Sequence, residues 1–213
     1  MGSKRVGLAR TQALIENLKR ELNLQGTTLK GADTSGQANQ VADAHGPGAI
    51  STEVAPKHYR YQTPDGTFVN TIELDLTGLK SYSDEGDVIG LDEVEGAHIT
   101  KYVASTFGII YKVEVSCIEL PTAASNVCLD FDLISTPTAT LKGNQAADGA
   151  SNAQDVFASG GVFALGETKQ HTGRSQPNAD GDVIYLVTGN THTGASVFTG
   201  GKLLIKFYGS PTF

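Results

Sequence analysis

Residues 108–134, GIIYKVEVSCIEL followed by PTAASN and VCLDFDLI, restrict what this chain can fold into more than any other stretch. In the first arm Ile109, Tyr111, Val113, Val115 and Cys117 fall on one side, with Lys112, Glu114 and Ser116 on the other. Successive side chains of a strand point to opposite faces, so alternation of period two marks a strand with one buried face. The second arm repeats the pattern, with Val127, Leu129, Phe131 and Leu133 toward a core and Cys128, Asp130 and Asp132 toward solvent. Pro121, Ser125 and Asn126 supply turn chemistry between the arms. The expectation is an antiparallel hairpin over residues 109–134, with Val113, Val115, Leu129 and Phe131 deeply buried.

The rest of the chain agrees in class. Glycine is abundant at 25 residues, tryptophan is absent, and Leu, Val, Ile and Thr runs alternate with turn residues without helical spacing. Strands are expected over residues 68–77, 87–91, 98–105, 161–168, 182–188 and 202–208, a helical turn over 152–158, and polar loops over 136–150 and 169–181. Seven or eight strands without β-α-β alternation point to two packed sheets, and the uneven loops favour a jelly roll over a meander. The run KLLIKFY at residues 202–208 is too apolar for a bare edge and is expected at the centre of a sheet. The expected fold is all-β: a jelly-roll-like antiparallel β-sandwich (residues 59–213), preceded by an N-terminal amphipathic α-helix (1–25) and an extended linker arm (26–58).

The amino-terminal part has a different character. Leu8, Ile15 and Leu22 recur every seven residues, Thr11 and Leu18 fall between them, Leu14 widens the stripe, and Gly26 is a natural stop. An isolated helix of that length is marginal in water and needs a partner: its own copies, another protein, or its own body. Residues 26–58 hold too little apolar area to offset the entropy of ordering and read as an arm. Lys4, Arg5, Arg10, Lys19, Arg20 and Lys30 stand against Glu16 and Glu21, a balance of +4 in a chain of −7, which leaves −11 beyond residue 30. A basic arm on an acidic body suggests docking on an acidic surface. The anchor residues are therefore Leu8, Ile15, Leu18 and Leu22, with Arg5 and Arg10 beside them. Three or four charges without interleaved aromatics do not make a nucleic-acid site, so no nucleic acid is expected.

No apolar h-region opens the chain, no run could span a bilayer, and MGSKRV lacks the Ser or Thr of a myristoylation signal. Synthesis in a reducing cytoplasm is expected, with Cys117 and Cys128 as free thiols on opposite faces of the hairpin.

Catalytic constellations are thin. His45, His58, His98, His171 and His192 are scattered without metal-ligand spacing, and no nucleophile elbow or phosphate-cradling loop occurs. Asp130 and Asp132 make a D-x-D, but on a strand two such carboxylates share a solvated face. Asp84, Glu85, Asp87, Asp92, Glu93 and Glu95 form the densest acidic patch, and Asp180 with Asp182 another. Such loops can take Ca²⁺, though the spacing fits no EF-hand and solubilising charge is the simpler role. No metal, cofactor or catalytic residue is expected, and a retaining glycosidase would need two carboxyls about 5 Å apart beside a sugar cleft.

The opening KRVGLARTQALIENLKREL resembles the amino-terminal segment of virion structural proteins from marine tailed bacteriophages. The stretches GDVIGLDEVEGAHITKY, GIIYKVEVSCIELP, LDFDLI, ADGDVIYLVTGNT and FTGGKLLIKFYGSP are similar to the body of such proteins. The resemblance implies a non-enzymatic virion subunit, assembled in the host cytoplasm and displayed on the head as a decoration or cement protein. Its partners would be the major capsid protein or other virion proteins and its own copies, as a homotrimer, with no membrane involved. The alternative is a carbohydrate- or receptor-binding head-fibre or tail module, its loops at residues 136–150 and 169–181 lining a site. A third reading, a glycan-degrading enzyme, rests on Asp130 and Asp132.

Overall fold

The computed structural model describes residues 56–92, 94–172, 177–192 and 194–211. The helix expected within residues 1–25 and most of the linker arm lie outside them. Two antiparallel sheets carry the fold. The larger runs in the order β1 (Lys57–Gln62), β2 (Phe68–Asp75), β10 (Ser196–Ser210), β5 (Ile109–Ala123), β8 (Thr168–Thr172), with the short β3 (Lys80–Ser81) also on β10. The smaller runs β4 (Thr100–Lys101), β9 (Val183–Thr188), β6 (Phe131–Thr136), β7 (Gln154–Phe157). Setting aside β1 and β3, the eight remaining strands pair first with last, second with seventh, third with sixth and fourth with fifth. β1 begins at Lys57, two residues inside the segment read as linker.

The inward faces meet in one apolar core. Ile72 and Leu74 of β2, Val113 and Val115 of β5, and Leu203, Ile205 and Phe207 of β10 pack in the same cluster as Phe131 and Leu133 of β6 and Ile184 and Leu186 of β9. β9 alternates between two cores. Its even residues join the main cluster, while Val183, Tyr185 and Val187 enter a second one with Val88, Ala97, Ile134 and Ala147, on the far face of the small sheet. The segments supplying Val88, Ala97 and Ala147 are held there by an isolated bridge from Val88 to Val187 and by hydrogen bonds such as Val88 N–H to Gln145 O, 3.0 Å. That is why VIYLVT is apolar at nearly every position: a strand covered on both sides has no polar face. β10 lies between β2 and β5, as its apolarity requires.

The hairpin expectation fails. β5 and β6 belong to different sheets, and residues 124–130 cross from one to the other. Two strands that each present one face to a shared core alternate in the same way whether they are hydrogen-bonded neighbours or lie on opposite walls about 10 Å apart, so the pattern cannot tell the two apart. The register within β5 also changes. Lys112 pairs with Tyr208 and Ile110 with Gly209, so Tyr111 is a bulged residue; Ile110 turns inward and is buried, while Ile109 and Tyr111 are 40% and 42% exposed. Val113, Val115 and Phe131 are deeply buried as expected, whereas Leu129 is only half-buried.

Other elements are displaced. Residues 87–91 make isolated bridges instead of a strand, and the strand expected over 98–105 is β4 followed by one helical turn, α1 (Ala104–Phe107), which buries Phe107. The helical turn expected over 152–158 is strand β7, because Val156 and Phe157 are drawn into the core beside β6. The strand expected over 161–168 is irregular backbone with Phe163 in the core, and the polar β8 follows it as an edge strand, where one covered face suffices.

Candidate functional site

Chemistry concentrates on the far face of the small sheet. Asp132 and Ile134 of β6 point away from the main core, as does Val187 of β9, which pairs opposite Asp132 in the outward-facing second cluster. Asp130, just before β6, has the same parity. These residues open into a cleft of about 270 Å³ rimmed by Glu85, Asp148, Asp155 and Asn190. Among the described residues five carboxylates line it and no lysine or arginine does.

Asp130 sits at its base, 2% exposed. One carboxylate oxygen accepts the Ser159 hydroxyl; the other accepts the Thr191 backbone N–H at 3.0 Å and the Thr191 hydroxyl at 2.7 Å. Its backbone carbonyl accepts the Gly189 N–H at 2.9 Å. Burial by itself would raise the Asp130 pKa, but the Ser159 and Thr191 hydrogen bonds, helped by the Lys169 charge, outweigh it and hold the carboxyl below its ordinary range. Asp132 goes the other way. Burial pushes its pKa up, the Ser159 N–H donated to it at 2.6 Å opposes that, and the charges of Asp130 and Asp155 add to the rise. Asp87, behind the rim, is raised by burial and by the nearby charges of Asp84 and Asp148.

Two glycines make room for these carboxylates. A Cβ at Gly189 would stand 2.3 Å from the Asp130 carboxyl carbon. One at Gly86, whose φ is +81°, would stand 2.5 Å from that of Asp148.

The arrangement defines what the cleft can do. Asp130 spends both oxygens on protein donors and ties the loop after β7 (Ser159) to the loop after β9 (Thr191), so it is a structural pin with no oxygen free to attack a substrate. Asp132, Asp148, Asp155 and Glu85 present acceptors to the opening, suited to hydroxyl groups or cationic side chains. Among the described residues no group of three or more Asp, Glu, His or Cys side chains converges with metal-holding geometry. The D-x-D therefore does not lie on an open solvated face: its outward side lines a cleft with Glu85, Gly86 and Asp148, and Asp130 is buried.

The remaining sequence candidates separate. Leu8, Ile15, Leu18, Leu22, Arg5 and Arg10 lie outside the described residues, as do His45 and Glu93. The acidic patch divides: Glu85 faces the cleft, Asp92 takes Lys80 and the Tyr82 hydroxyl, each at 2.8 Å, and Glu95 pairs with Lys142 at 3.9 Å. Asp180 accepts the Ala104 N–H of α1 at 2.6 Å and Asp182 the Ala179 N–H at 3.0 Å, so both are loop pins. His192 stands 3.4 Å from the Ser81 hydroxyl, but Ser81 is fully buried and out of reach of any substrate. Both cysteines are free and buried in the main core, Cys128 included, although its place in the alternation is on the wet side. Of the two loops expected to line a glycan site, residues 136–150 reach the cleft through Asp148. Asp148 and Asn190, each alone in its own loop, and Asp155 on β7 escape the sequence, because no local spacing joins them. Comparison of the chain with protein-family models, curated proteins and solved structures finds no match.

Proposed function

We propose that this chain is a non-enzymatic structural subunit of a tailed-phage virion, a decoration or cement-type protein of the head. Its residues 1–25 act as anchor, residues 26–58 as connecting arm, and the sandwich meets neighbouring subunits. The observation that carries the reading is the strand order. Eight strands pairing first with last down to fourth with fifth, split between two sheets, support a jelly-roll reading, an architecture of viral capsid and lectin domains. Fold alone does not choose between those roles. The resemblance of the opening segment and of the body stretches to phage structural proteins favours the virion, with the major capsid protein and copies of this chain as partners. The test is co-sedimentation of the full chain with purified heads. Binding that is saturable, and lost when the apolar stripe is broken by Ile15→Asp with Leu22→Asp, supports the role; a chain that stays in the supernatant refutes it.

A second reading, a carbohydrate- or receptor-binding module, is favoured by the cleft, whose outward carboxylates are placed to accept sugar hydroxyls. A glycan array without hits removes it.

A further inference from the structure

Four of the seven tyrosines of this tryptophan-free chain, Tyr59, Tyr61, Tyr111 and Tyr208, gather on the outward face of the large sheet. Ile72 and Leu74 of β2 point into the core, so Val69 and Thr71 point out, and with them their partners Tyr61 and Tyr59 on β1 and Tyr208 and Lys206 on β10. The bulge in β5 brings Tyr111 to the same side. Tyr59 and Tyr61 are each 54% exposed, yet Val69, the register partner of both Tyr61 and Tyr208, is 1% exposed beneath them. Tyr208 is fixed in place: its hydroxyl donates to Glu114 at 2.6 Å and the Lys112 ammonium lies 3.9 Å from its ring centroid. Burial and Glu114 raise the Tyr208 pKa, and the phenols of Tyr61 and Tyr111 stand close enough to add to the rise.

We infer that this tyrosine face is the surface on which a second copy of the chain docks. The inference rests on the structural-subunit reading and names the part of the sandwich that meets its neighbour. Charge selects the occupant. Beyond residue 30 the chain carries −11, and two such bodies repel wherever acidic surfaces meet, as they would at the cleft. On the tyrosine face Glu73 is paired with Lys57 at 3.1 Å, Glu114 with Lys112 at 2.9 Å and Glu119 with Lys202 at 2.8 Å, and Lys206 balances Asp75, so the face carries no net charge. A copy can therefore approach here without repulsion. Rigid tyrosines with few unpaired charges are what the centres of protein interfaces are made of.

The experiment is the solution mass of the full chain over a concentration series, for the wild type and for Tyr61→Lys/Tyr111→Lys. Leu165→Lys, at the most exposed apolar side chain elsewhere, is the control. The wild type is expected to weigh an integral multiple of one chain, the double variant to need at least tenfold more protein to associate, and the control to match the wild type. Folding of the variants is checked by near-ultraviolet circular dichroism. Photo-oxidation supplies an independent readout: the wild type should form inter-chain dityrosine, and Tyr59→Phe/Tyr61→Phe/Tyr111→Phe, which keeps the rings, should not. A wild type of single-chain mass overturns the inference, and so does a multimer indifferent to all tyrosine changes. Retention of a monomeric wild type on immobilised polysaccharide, lost in the double variant, would assign the face to glycans instead. A single-chain mass with intact head binding leaves the subunit reading standing; a tyrosine-dependent multimer that ignores heads removes that reading and keeps the interface.

Discussion

Replacing Asp130 by Asn keeps the size of the side chain and removes its charge and one acceptor. In the wild type the Ser159 hydroxyl, the Thr191 N–H and the Thr191 hydroxyl all converge on its carboxylate. The amide oxygen can take the two Thr191 donors or the Ser159 hydroxyl but not both, and with the oxygen toward Thr191 the NH₂ is turned on the Ser159 hydroxyl, which must then give up donating to residue 130. Hydrogen bonds to a charged group are worth about 1.5–3 kcal/mol each, and a buried donor without an acceptor costs about 1–3 kcal/mol, terms that overlap and do not add. A loss of about 2–4 kcal/mol follows, a large share of the ~5–15 kcal/mol typical of a domain. The assay is urea unfolding, reading the midpoint at unchanged slope. pH provides an internal check. The folded-state pKa of Asp130 is depressed, so its contribution is fully present above the ordinary value of 3.8 and disappears as pH falls through the lower folded value. The gap between wild type and variant should therefore be constant near neutrality and shrink only below about pH 4. A gap under about 0.5 kcal/mol at pH 7, the usual cost at an exposed position, would refute the buried pin.

Asp132→Asn should raise the melting temperature at neutral pH. The folded-state pKa of Asp132 is raised, so its ionisation disfavours the fold as pH climbs through that value, and the variant escapes this while its amide oxygen still accepts the Ser159 N–H; an unchanged or lower melting temperature contradicts this. Gly189→Ala should cost roughly 2 kcal/mol or more, because its methyl would overlap the Asp130 carboxyl group, and the loss should be smaller in a chain that already carries Asp130→Ala. The thiol of Cys128 is buried and pushed up to about 12, so a thiol reagent at pH 8 should leave it unmodified in the native protein and label both cysteines after unfolding.

How much of this is legible in the sequence depends on whether a residue's environment is local. The alternation of residues 68–77 and the unbroken apolarity of VIYLVT reflect the faces each strand buries, and the strands stand there. The pairing of β5 escapes the sequence because alternation reports a core face and carries no information on the hydrogen-bonded neighbour. Tyr111 changes sides through a bulge, which needs a partner strand to be seen. Asp130 and Asp132 stand out in the sequence and their outward direction is right, but the cleft they line is completed by segments about 45 residues before and 15 residues after. Asp148, Asp155 and Asn190 meet only through the fold.

The central claim, a structural subunit on a phage head, is tested most directly by a density map of tailed-phage particles that carry this chain. Density for a two-sheet sandwich is expected on the outer surface of the head, with its amino-terminal segment against the capsid shell and its tyrosine face turned to a neighbouring copy. Placement of the chain on the tail, or in the interior against packaged genome, would contradict the claim.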